Sequence, residues 1–126
     1  MDSILLTIAA AMTFLIGFGH SWLGEKILIG PLLDPEKRQG MLAKDRFARQ
    51  VIRFGWHATS IAWWGLGAVV FILSRGPISE TGHTILLALT GTFLATGLGI
   101  LISTRGRHFA WLVFLIIAAL TGWVAI

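Results

Sequence analysis

This sequence predicts an all-α fold: an antiparallel four-helix transmembrane bundle with an amphipathic interfacial segment before its second span. Three observations lead there. Four apolar stretches fill most of the 126 residues, each close to the roughly 20 residues with which an α-helix crosses a hydrocarbon core. The charged residues, 13% of the chain, are gathered between those stretches instead of being spread along them. None of the stretches alternates strictly, as a barrel strand would, so helices are left to satisfy the backbone inside lipid. The length suits one transmembrane domain over residues 1–126.

The first span is expected over about residues 4–23. It is uniformly apolar to Gly19 and then carries His20, Ser21 and the interface anchor Trp22. Met1-Asp2-Ser3 lacks the positive region of a signal peptide, so this run is read as a span and not as a cleavable leader. Residues 24–53 form the longest connection. Asp34-Pro35-Glu36 has the pattern of a helix start, and Gly40 is expected to break whatever begins there. From Met41 the pattern is amphipathic: Met41, Leu42, Phe47, Val51 and Phe54 stand against Lys44, Asp45, Arg46, Arg49 and Arg53. Such a segment lies along a membrane surface and leads into the next span.

The second span is expected over residues 54–73, which carry no formal charge, and it ends at Arg75-Gly76-Pro77. Ser79-Glu80 then supplies a helix start for a third span over residues 82–103. Gly91, Ala95 and Gly99 recur there at four-residue spacing, a shallow face against which another helix can pack closely. Its functional reading is a passage or a partner-docking groove; its ordinary reading is helix packing. Arg105-Gly106-Arg107 is a very short turn into the fourth span, residues 109–126, which makes the last two spans antiparallel neighbours.

Charge sets the expected orientation. Nine of the ten Lys and Arg residues fall in residues 24–53 or in the 105–107 turn, and Arg75 is the exception. The positive-inside bias therefore assigns those segments to the cytoplasm and both termini to the outside of a bacterial inner membrane. Anionic headgroups account for the net charge of +4, and no basic domain for nucleic acid is present. The absence of cysteine excludes disulfides, thiolate catalysis, Cys-ligated metal and c-type haem attachment.

The same assignment brings His20, His57 and His108 to one level, at the cytoplasmic end, and leaves His83 at the other. Ionisable groups at such depth face the bundle interior or a pathway, because lipid exposure is costly. Arg53, His57, Ser60 and Trp64 are spaced four, three and four apart, so they form one stripe. Glu25 is the carboxylate nearest a span end on this side, and a break at Gly24 would turn it back toward His20. Three imidazoles and a carboxylate suit a transition metal, and two histidines on facing helices suit a b-type haem. Arg53 would then neutralise a haem propionate or a lipid phosphate. Trp64 would contact cofactor or lipid from the middle of the second span, with Trp63 beside it. Against this stands the plainer reading of histidines tied to backbone or to Glu25 for packing. Of the pairs Trp56/Trp63 and His57/Trp64, only one is expected to face the bundle fully.

The pieces Gly19-His20-Ser21-Trp22-Leu23-Gly24-Glu25 and Arg53-Phe54-Gly55-Trp56-His57-Ala58-Thr59-Ser60-Ile61-Ala62-Trp63-Trp64-Gly65-Leu66-Gly67 resemble a group of small, uncharacterised bacterial integral membrane proteins with four predicted spans. The resemblance covers the first two spans and their connection. It implies that topology and highlights His20, Glu25, Trp56 and His57.

Function is expected first as an accessory or structural subunit of a larger membrane complex, not an enzyme on its own. No nucleotide-binding motif and no extramembrane catalytic domain is present. Expected partners are lipids and another membrane protein or a second copy. A metal- or haem-binding protein using the histidine cluster is one alternative. A small oligomeric transporter is another, although no span carries the midplane charge that proton coupling usually needs.

Overall fold

The computed structural model describes all 126 residues, and every regular element in it is helical. Helix α1 runs over Asp2–Gly24 and continues without a break through a π-helical turn, Glu25–Ile29, into the short α2, Gly30–Leu32. After turns over residues 35–37 come α3, Met41–Lys44, and α4, Arg46–Leu73. The chain closes with α5, Glu80–Thr104, and α6, Ala110–Ala125. Three of these stretches are long and apolar enough to cross a membrane: Asp2–Leu32, Arg46–Leu73 and Glu80–Thr104. The fourth apolar helix has 16 residues, or about 24 Å of rise against a hydrocarbon core of about 30 Å.

Local chemistry explains the ends. Asp45 begins α4 by accepting the Phe47 N–H at 2.8 Å, and Ser79 begins α5 by accepting from Gly82 at 3.1 Å. Asp45 itself is extended, so Met41–Lys44 stops short of α4 and the amphipathic lead-in is divided. The residues 46–53 expected in the connection are the first two turns of α4. At the far end of α5, Arg105 and Gly106 take left-handed backbone, and their N–H groups return to Ile102 and Leu101. That is a Schellman closure in which Arg105 occupies the place glycine prefers; the left-handed turn costs about 1 kcal/mol.

The four principal helices pack in the order α4, α1, α6, α5, and α4 and α5 barely meet. Leu6, Val70, Leu86, Phe93, Phe114 and Ile117 are fully buried between them. The outer surface is apolar as well: Leu15, Ile72 and Ile102 are 70%, 68% and 74% exposed in the middle or last turns of their helices. Such a surface marks lipid or partner contact. Where lipid competes for apolar surface, close backbone approach and hydrogen bonds hold helices together. Both occur. Ser3 Oγ donates to the Ser74 carbonyl at 2.7 Å, and Thr90 Oγ1 donates to Thr121 Oγ1 at 2.8 Å.

The glycine face of α5 differs from the expectation. Its buried positions are Gly82, Leu86, Leu89, Phe93 and Gly97, and Gly97 is the close-approach residue against Leu115 and the Trp111 carbonyl. Gly91, Ala95 and Gly99 point away from every other helix of the chain, and a side chain added at Gly91 or Gly99 would meet nothing. Spacing established that the three share a face, but the larger residues two places away settle which face turns inward.

Candidate functional site

One stripe of α4 faces α1 and carries the polar chemistry of the molecule. Arg53, His57, Ser60 and Trp64 all engage it, as their helical spacing predicts. Arg53 Nη2 lies 2.9 Å from Glu25 Oε1, and His57 Nε2 lies 3.2 Å from Glu25 Oε2. His57 Nδ1 is 2.9 Å from Ser21 Oγ, which donates to Ser60 Oγ at 2.8 Å. A turn further along, the Trp64 indole N–H donates to the Phe14 carbonyl at 3.1 Å. Ser21 at the end of α1 and Glu25 at the start of the π turn thus take the two ring nitrogens of His57.

The Trp56/Trp63 pair also contacts α1, and all four side chains stay partly exposed, so neither pair turns fully inward. Trp56 donates to the His20 carbonyl at 2.9 Å, and its ring stacks on the His20 imidazole at 4.2 Å with 8° between planes. Trp63 meets the same imidazole edge-on at 4.8 Å and continues to Phe114 at 4.8 Å. Close approach makes this possible: a side chain at Gly24 would run into the Trp56 ring, and one at Gly17 into the Trp64 indole. The helix does not break at Gly24. Glu25 instead opens the π turn, closed by the Gly30 N–H on the Glu25 carbonyl, and this turn aims the carboxylate at α4 and not back at His20. A Cβ at Gly30 would come 2.7 Å from that carbonyl oxygen, so the turn requires glycine there. Turns of this kind recur at functional sites.

The three histidines do not converge on a common ligand. Both nitrogens of His57 are engaged within the α1–α4 joint. His20 is enclosed by Trp56 and Trp63, and its Nε2 is the one buried side-chain polar atom without a partner. His108 turns to its own neighbours: it stacks on Phe109, and its Nδ1 accepts the Ala110 N–H at 3.3 Å in the first turn of α6. No group of three His, Asp or Glu side chains is arranged to hold a metal ion. Both ring nitrogens of His57 are engaged, and His20 Nε2 is buried between two indole rings. As placed, the three imidazoles and Glu25 form no metal site.

Ser21, His57 and Glu25 share the connectivity of a hydroxyl–imidazole–carboxylate triad, but the surroundings that such a triad needs are missing. Acyl transfer requires donors aimed at a developing oxyanion. Ser21 is in the helical interior of α1, where backbone N–H groups are consumed by the helix. The nearest cation, Arg53, is held by Glu25. What these bonds do in the fold is join α1 and its π turn to α4.

Beside it lies a feature that residue order alone does not assemble. Arg46, Arg49 and Arg53 follow one another on α4 with His57 one turn further, and Arg38 joins them from the connection. They line an open cleft of about 620 Å³, which no carboxylate lines. Arg49 donates through Nη1 to the Leu42 carbonyl at 2.8 Å, a neutral acceptor. The spacing of the three α4 arginines carries part of the signal, but the position of Arg38 depends on the fold of residues 33–40.

No family model, curated protein or solved structure matches this chain.

Proposed function

We propose that this chain is a four-helix membrane protein of the bacterial inner membrane that serves as an accessory or structural subunit of a larger complex. In this reading residues 24–53 and 105–107 lie on the cytoplasmic side and both termini face outward, following the bias of nine basic residues to one side. The observation that carries the role is the uncovered small-residue face of α5. Gly91, Ala95 and Gly99 present open backbone on a helix that leaves α4 almost untouched, the surface on which a transmembrane helix packs closely. The polar cluster supports the same reading, because its groups are spent on joining α1 to α4 and offer no reacting position. The partner is another membrane protein or a second copy.

Photocrosslinking from position 95 in native membranes tests this. A discrete adduct, lost when Gly91 is replaced by leucine at the unlabelled position, is the expected result. A clean monomer after gentle solubilisation, with lipid as the sole crosslinked species, would overturn it.

A further inference from the structure

We infer that the arginine cleft between the 33–40 connection and the start of α4 is a binding site for a phosphate group. Arg38, Arg46, Arg49 and Arg53 converge on it with Gln50 and His57. Of the four guanidinium groups, Arg53 alone has a carboxylate partner, Glu25 at 2.9 Å. Arg38 and Arg46 have none, and Arg49 is bonded to backbone carbonyls that leave its charge uncompensated. Asp45 caps α4, Asp34 accepts the Glu36 N–H and pairs with Lys37, and the exposed Glu36 carboxylate pairs with none of the four arginines and does not line the cleft. Three like charges around one opening repel one another, and an anion between them removes that repulsion.

The chemistry selects phosphate. Guanidinium forks match phosphate oxygens two at a time, which a cluster of lysines would not do. The surroundings select an amphiphile as its carrier. The Phe54 ring on the cleft wall is 69% exposed, and Ile27, Leu28 and Leu32 are exposed on the neighbouring end of the α1–α2 rod. A phosphate-headed lipid would place its head among the arginines and its chains along those residues. A soluble phosphate would use the arginines alone. The site stands on the cleft's own geometry; its position at the cytoplasmic leaflet rests on the orientation proposed above.

The test uses the whole chain in phosphatidylcholine nanodiscs with dioleoyl phosphatidate added, read by native mass spectrometry. Bound phosphatidate should appear at one per chain. The Arg38→Gln/Arg46→Gln variant should weaken it at least about tenfold, since each loses a charge-assisted contact. These two arginines hold nothing else in the fold, so helical content by circular dichroism should be unchanged. The control is Arg105→Gln/Arg107→Gln, which removes the same charge from the same end of the molecule outside the cleft. It should bind within about twofold of the parent, whereas headgroup attraction to bulk charge would weaken both variants alike. Sodium phosphate supplied without phosphatidate is the second arm. Saturable binding that disappears in Arg38→Gln/Arg46→Gln assigns the same site to a soluble phosphate. Equal losses in the two variants, or no binding of either probe, would overturn the site. Because no partner protein takes part, that failure would leave the accessory-subunit reading where it stands.

Discussion

The two helix pairs of this protein are joined by different means. Between α1 and α4 the contact is polar and aromatic: an ion pair, an imidazole bonded at both nitrogens, a stacked indole and two indole N–H donors to carbonyls. Between α5 and α6 it is small and apolar, with Gly97 against Leu115, Gly122 against Thr90 and one hydroxyl pair. A polar joint is specific because each group needs one particular partner once it leaves water. A small-residue joint is held by shape, and its strength depends on how closely the backbones approach. The first pair therefore has one register available to it, while the second tolerates conservative exchange wherever volume is kept.

Five substitutions would break or sharpen that contrast. The largest effect is expected for Gly24→Val, which puts a branched side chain where the Trp56 ring lies and displaces both the stack and the bond to the His20 carbonyl. Overpacking and the lost contacts should together cost about 3 kcal/mol, measured by reversible unfolding in mixed micelles. Unchanged stability would mean that α1 and α4 are not in close contact there. On the other pair, Gly97→Val forces Leu115 and the Trp111 carbonyl away, with an expected loss of about 2 kcal/mol in the same assay.

Glu25→Gln removes the charge that Arg53 and His57 share. The side chains of Arg53 and Glu25 are 51% and 37% exposed, so the cost should be about 1 kcal/mol. A double-mutant cycle with Arg53→Gln should recover most of that as coupling; additive losses would mean the pair is not formed. Thr121→Val keeps the shape and deletes the hydroxyl that meets Thr90. About 0.6 kcal/mol is expected, the usual worth of one interhelical bond in a membrane. The smallest effect belongs to Gly91→Leu, which meets open space within the chain. Monomer stability should stay within about 0.5 kcal/mol, while crosslinking to a partner through α5 should fall. A large loss of monomer stability would place that face inside the bundle.

Much of this arrangement was legible from residue order. Helix positions follow from apolar run length and the Ser79 start, because a backbone in lipid has few alternatives to a helix and a side-chain oxygen next to free N–H groups marks where one starts. The cap at Asp45 emerged only in the fold, since Asp45 reads in sequence as one polar residue of a continuous lead-in. The stripe from Arg53 to Trp64 was legible too, since helical spacing is local geometry. Tertiary structure decided what each stripe meets. Gly91, Ala95 and Gly99 lie opposite the buried side of α5 because Leu86, Leu89 and Phe93 supply more packing than three small residues can. His108 spends its Nδ1 locally on the Ala110 N–H, a contact that depth along the span does not foretell. The π turn is a matter of one unusual hydrogen bond, for which neither composition nor periodicity carries a signal, yet it aims Glu25 at His57. Arg38 reaches the arginine cleft through an irregular connection, whose path is set by what it packs against and not by any repeat in its own residues.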